Sequence, residues 1–147
     1  MTNAFDIVIF GGAGDLALRK ILPAWYRTFR EGQLTEQSRV IVICRDKKSA
    51  AAYLQNSEAA LKEYLADEFI PDAWNQFKAY LFPVALDIAK GDDWQNLKEV
   101  LVPGDPKVRV FYLAIPPAIF SICCRNLADN NLITSQSRVV VLSLIHI

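Results

Sequence analysis

The chain has 147 residues, enough for one domain with its own core. It is 52% hydrophobic and 22% charged, which excludes a disordered polymer, and its formal net charge is zero. A balanced charge gives no support for nucleic-acid binding or for attraction to a membrane surface, so anion recognition must come from local placement.

The elements alternate between strand and helix. Phe5–Phe10 is expected to be a first strand, nearly all apolar and so buried on both faces. Three glycines follow within four positions, Gly11, Gly12 and Gly14, and a helical pattern from Asp15 to about Gly32 begins at once. Leu16, Ile21, Trp25 and Phe29 mark its apolar side, and Pro23 is expected to bend it. Strand, glycine turn and helix in that order form a phosphate cradle. Glycines admit positive φ and remove Cβ atoms, and the helix start presents free N–H groups and a partial positive charge. The same residues could form a plain tight turn, but the context favours a dinucleotide.

Arg39–Cys44 reads as the second strand. A helix opened by Ser49 runs to about Glu68, with Tyr53, Ala60, Leu61, Tyr64 and Leu65 on its apolar side. Ala73–Ala79 fits a short helix. Tyr80–Leu86 fits a third strand that Pro83 confines to an edge or an irregular start. Asp92–Leu101 is helical, Val108–Ala114 a fourth strand, Ile119–Asn130 a helix after the Pro116-Pro117 break, and Arg138–Val141 the start of a fifth strand. Such alternation predicts an α/β domain, a Rossmann-like doubly wound parallel sheet with helices on both faces, ending at its fifth strand. Residues 1–141 form this single dinucleotide-binding domain, without repeats or an internal linker. Trp25, Trp74 and Trp94 are expected in the core.

The second strand ends in Cys44-Arg45, where an NAD site carries an acid. A guanidinium there suits a 2′-phosphate, so NADP is favoured over both NAD and an ordinary solvated turn. Asp15 suits the helix dipole without any ligand. Arg19 and Lys20 fit a phosphate or solvent equally well. Asp87, at the end of the third strand, could face a ligand or cap the following segment. The Ala114-Ile115-Pro116 stretch could be a wall of the cofactor site or a strand terminator.

Other chemistry is excluded. The glycines lack the lysine of a P-loop, and Cys44, Cys123 and Cys124 do not have the spacing of a zinc or redox motif; they read as reduced thiols of a cytoplasmic protein. The only histidine is His146, and no metal site is expected. No basic region precedes a long apolar segment at the N-terminus, and no apolar run is long enough to span a membrane.

The segment Gly11-Gly12-Ala13-Gly14-Asp15-Leu16-Ala17-Leu18-Arg19-Lys20, with Leu22-Pro23-Ala24, closely resembles the G-x-x-G-D-L-A-x-[RK]-K-x-x-P signature of glucose-6-phosphate dehydrogenase. Arg45, Asp87-Ile88 and Tyr112-Leu113-Ala114-Ile115-Pro116-Pro117 resemble three further motifs of that family, in the same order, so the likeness runs from about Asp6 to Val141. It implies that Gly11, Gly12, Ala13, Gly14, Asp15, Leu16, Arg45, Asp87, Ile88, Ala114 and Pro116 serve an NADP cofactor. It implies that Lys20 lies near the reacting centre, where glucose 6-phosphate is oxidised to 6-phosphogluconolactone at the entry to the oxidative pentose phosphate pathway. The full-length relative would be a cytoplasmic homo-oligomer.

Two features depart from the family. The Glu-Lys-Pro-x-Gly segment after the fifth strand and the Arg-Ile-Asp-His-Tyr-Leu-Gly-Lys segment carrying the catalytic histidine do not occur here, so the chain is expected to be inactive alone. The terminal Leu142-Ser143-Leu144-Ile145-His146-Ile147 matches the translation of a transposon end used in sequencing libraries, so residues 142–147 are expected to be a non-native tail. The alternative is a stand-alone Rossmann module that senses a dinucleotide without catalysis.

Overall fold

The computed structural model describes residues 4–101 and 107–141. The terminal hexapeptide, including His146, lies outside them. Five strands form one parallel sheet: β1 (Phe5–Phe10), β2 (Arg39–Cys44), β3 (Leu81–Ala85), β4 (Val108–Leu113) and β5 (Ser137–Val141). Their spatial order is β3-β2-β1-β4-β5. The strand runs are rich in Val, Ile and Phe, whose branched or flat side chains pack well on a pleated surface. As expected, Pro83 falls on an edge strand, where its missing N–H costs no ladder bond to a further strand.

Strand β1 occupies the centre and feeds two cores. Ile7 and Ile9 enter one with Val40, Val42, Tyr26, Tyr53 and Phe77; Val8 and Phe10 enter the other with Ile41, Phe111, Trp94 and Leu127. The first core is covered by α1 (Leu22–Arg30), α2 (Lys47–Leu65) and α3 (Pro71–Phe77), the second by α4 (Trp94–Val100) and α5 (Phe120–Asp129). On β5, Val139 and Val141 are exposed. Trp74 and Trp94 are buried as expected. Trp25 is only half-buried, wedged between the rings of Phe5 and Tyr112 at 6.0 and 6.2 Å.

Three expectations need correction. The first helix does not run unbroken from Asp15: Ala17–Ile21 form a π-helical turn, and Leu22 N–H reaches back five residues to Ala17 O. Pro23 follows immediately, and its missing N–H prevents an ordinary ladder bond at that point. The second helix is capped by Asp46 and begins at Lys47. Asp46 is extended (φ −153°, ψ 172°), and its carboxylate accepts the Ser49 N–H at 2.7 Å. Its buried side is the four-residue series Tyr53, Ser57, Leu61 and Leu65, so Tyr64 turns to solvent, and the Ser57 hydroxyl satisfies itself on Leu54 O at 2.9 Å.

Two buried charged residues in the sheet escaped the sequence reading, Asp6 and Arg109, the latter in β4 with Nη1 donating to Leu132 O at 2.9 Å. Asp6, in β1, is fully buried. It accepts a forked pair of bonds from Arg39 (Nε 3.0 Å, Nη2 2.9 Å) in β2, and Lys107 Nζ, just before β4, lies 3.4 Å away. The ion cluster ties three chain segments together at the amino edge of the sheet.

Candidate functional site

Strand order reverses at β1, with β2 on one side and β4 on the other. The chain therefore leaves the carboxyl ends of β1 and β4 in opposite directions and opens a crevice between them, where ligands sit in open α/β sheets. The glycine turn forms one lip of this crevice.

Each glycine has its own physical reason. Gly11 has φ +77°, and a Cβ there would collide with Ala114 O at the end of β4. Ala114 N–H is already bonded to Phe10 O at 2.9 Å, so that backbone cannot retreat. A Cβ on Gly12 would strike the Val42 side chain and come within 3.0 Å of Ile9 O. Gly11 and Gly12 thus answer to the protein's own packing. Gly14 is exposed, and a Cβ there meets only Gly11 O, at 3.2 Å. The space beside Gly14 is open to a ligand. Gly14 N–H closes the turn on Gly11 O at 3.0 Å, and Leu18 N–H begins the helical ladder on Gly14 O at 3.0 Å. The N–H groups of Asp15, Leu16 and Ala17 precede that ladder, at the positive end of the helix.

Two clefts adjoin the turn. One, of about 350 Å³, is lined by Gly11, Ala13, Gly14, Ile43, Arg45 and Ser49. The other, of about 290 Å³, is lined by Gly11, Ile43, Arg45, Leu86, Asp87, Ile88, Ala89, Ile115, Ile119 and Ile122. They share Gly11, Ile43 and Arg45, so they form one trough with a polar half and an apolar half. Arg45 is exposed at the junction, and its guanidinium makes no hydrogen bond or ion pair among the described residues. A larger cleft of about 630 Å³ opens at the amino edge of the sheet, between Phe29, Arg39, Tyr80, Phe82 and Lys107. Size alone would choose it, but it contains no glycine turn and no helix start. The chemistry selects the trough.

The trough brings together Gly11, Ala13, Gly14, Arg45, Asp87 and Ile88 from the expected set. Gly12 is buried behind the turn, Leu16 is half-buried, Ala114 lies beneath Gly11, and Pro116 is exposed ahead of a short 3-10 turn, Pro117–Ile119. Asp15 pairs with Arg19 at 2.8 Å on the surface. Asp87 lines the trough, and its carboxylate accepts Ala89 N–H at 3.0 Å in its own turn. Lys20 does not reach the trough. It lines a separate cleft of about 420 Å³ with Ile21, Ala24, Trp25, Thr28 and Tyr112.

Sequence reasoning missed Ile43, Ser49, Ala89, Ile119 and Ile122 as lining residues, while Ile115 falls in the stretch read as a possible wall. Ile119 and Ile122 stand three apart just after a proline break, a helical spacing that was legible; the convergence of the others depends on strand order. Burial, with a smaller contribution from the Asp46 charge, pushes the Cys44 thiol up to about 11, and burial pushes Cys123 to about 12. Both stay protonated at neutral pH and supply no nucleophile. Among the described residues no cluster of His, Cys, Asp or Glu could hold a metal, and no helix is long and apolar enough to cross a membrane.

Residues 8–142 match the family model described as glucose-6-phosphate dehydrogenase, NAD binding domain. The chain is 43% identical over 138 residues to the glucose-6-phosphate 1-dehydrogenase of Rhizobium meliloti, covering 93% of this chain and 28% of that protein. It is 39% identical over 140 residues to that of Gluconobacter oxydans, covering 93% and 29%. The crystal structure of glucose-6-phosphate 1-dehydrogenase from Mycobacterium avium superposes with a TM-score of 0.83 at 26% identity, over 95% of this chain and 29% of that one. A glucose-6-phosphate dehydrogenase in complex with its substrate glucose-6-phosphate superposes at 0.77 with 28% identity, over 96% and 30%. The chain thus spans just over a quarter of the length of the curated relatives it matches.

Proposed function

Because the chain belongs to the glucose-6-phosphate dehydrogenase family, in the part that forms its NAD-binding domain, we propose that it is the coenzyme-binding part of an NADP-dependent glucose-6-phosphate 1-dehydrogenase. One observation carries the cofactor assignment. A guanidinium without a partner among the described residues, Arg45, stands where the polar and apolar halves of the trough meet, beside a glycine turn whose open side faces that trough.

The residues fit a dinucleotide bearing a 2′-phosphate. A Cβ on Gly14 would fill the space that a pyrophosphate needs, and the helix start offers N–H groups to it. Arg45 can bind a phosphate through two parallel N–H bonds, as an ammonium cannot. The isoleucines of the apolar half offer a dry surface to a flat base. When bound, the cofactor would supply the hydride acceptor for oxidation at the sugar C1. Lys20, in its own cleft beside Tyr112 and Trp25, would lie near the reacting centre, between cofactor and sugar phosphate. It is a site residue of this proposal, and the general base would come from the family's histidine segment. A cytoplasmic homo-oligomer is the matching proposal for the full-length enzyme.

The test is a titration of the chain with NADP and with NAD, before and after Arg45→Ala. The substitution should weaken NADP by ~1.5–3 kcal/mol, about ten- to a hundredfold, and leave NAD nearly unchanged. Equal losses for both cofactors would remove Arg45 from recognition of the 2′-phosphate.

A further inference from the structure

We infer that Asp46 is a specificity-determining residue that restrains the chain's preference for a 2′-phosphorylated dinucleotide. The inference rests on the dinucleotide reading of the trough. Arg45 and Ser49 both line its polar half, and Asp46 stands between them in the chain. Its carboxylate is fixed, because Oδ1 accepts Ser49 N–H at 2.7 Å as the cap of α2. An acid at the end of β2 would ordinarily accept hydrogen bonds from ribose hydroxyls. Here Oδ1 is committed to the helix head and the residue is not part of the trough lining, so it is assigned no ribose contact. Asp46 does not itself line the trough, but its charge, the only negative one from Arg45 to Ser49, acts on the Arg45 guanidinium that does. That charge offsets part of the attraction of Arg45 for a 2′-phosphate.

Asp46→Asn isolates the charge. Asparagine caps helices as well as aspartate does, so α2 and the melting temperature should be retained. NADP, NAD, 2′,5′-ADP and 5′-AMP are titrated against both proteins at low and high salt. The variant should bind NADP and 2′,5′-ADP about fivefold more tightly at low salt, with the gain shrinking at high salt. NAD and 5′-AMP should be unchanged. Asp46→Ser, which also keeps a cap without the charge, should behave alike. Unchanged NADP affinity in both variants overturns the inference while leaving the cofactor assignment standing. Weakened NAD binding overturns it by making Asp46 a ribose acceptor. Failure of the native chain to bind NADP at all overturns the cofactor assignment, and this inference with it.

Discussion

Gly11, Gly12 and Gly14 share one turn but answer to different constraints. Gly12→Ala places a methyl group into the Val42 side chain and against Ile9 O, an overpacking that should cost ~1–3 kcal/mol of stability. Gly14→Ala meets only one carbonyl oxygen, at 3.2 Å, which a few tenths of an ångström of movement relieves. Its melting temperature should stay close to native while NADP affinity falls at least tenfold, because the added methyl occupies the ligand's side of the turn. Paired thermal melts and NADP titrations of the two variants separate these roles. Native NADP affinity in Gly14→Ala would return that glycine to a plain turn.

At the level of the helix, α2 depends on its cap. The Ser49 backbone N–H bond holds the Asp46 carboxyl below its usual range, helped by the Ser49 side chain and by the charges of Arg45 and Lys48. A carboxylate whose folded pKa is depressed contributes stability that is present above its unfolded pKa and is lost as pH falls through the folded value. Asp46→Ala should therefore melt below the native chain at neutral pH, and the gap should close in acid below the usual carboxylate range. Asp46→Asn should keep the cap and lose that pH dependence. Circular dichroism melts across pH provide the measurement, and a gap that stays constant into strong acid would contradict the cap. The π-helical turn before α1 illustrates a different local device. With no N–H on Pro23, the ladder widens by one residue, and Lys20 lies within that widened turn, lining the cleft beside Tyr112.

For the whole molecule, the most exposed liability is the ion cluster at the amino edge. Arg39→Ala would strip the forked pair from a fully buried Asp6, leaving Lys107 Nζ at 3.4 Å as its ion-pair partner. Removing one member of a buried pair costs on the order of 3 kcal/mol, since the remaining charge is left in a poor solvent. Asp6→Asn with Arg39→Met should cost much less, because neither charge then remains to be desolvated. Denaturant titration of the single and double variants checks this, and equal losses would show that Asp6 is solvated after all. The cluster lies at the end of the sheet opposite the trough, so these variants should change stability without changing the NADP-to-NAD preference.

The α/β alternation, the bounds of β1 and β2, the edge position that Pro83 imposes on β3 and the glycine turn were all legible in the sequence. They follow from short-range physics: β-branched runs, proline's missing N–H, and glycine's freedom at a turn. Arg45 was legible too, because the end of the second strand is a defined place in such folds. The cap at Asp46 was misassigned by three residues, since Asp and Ser both cap helices and only backbone conformation distinguishes them. Burial of Asp6 could not be read from an apolar strand with one acid at its start; its partners come from residues 33 and 101 positions away. The trough's isoleucine wall and the separation of Lys20 from it were also decided by tertiary structure. Strand order brings β2, β3 and β4 ends to one crevice, and side chains distant in sequence become neighbours only once the sheet is assembled.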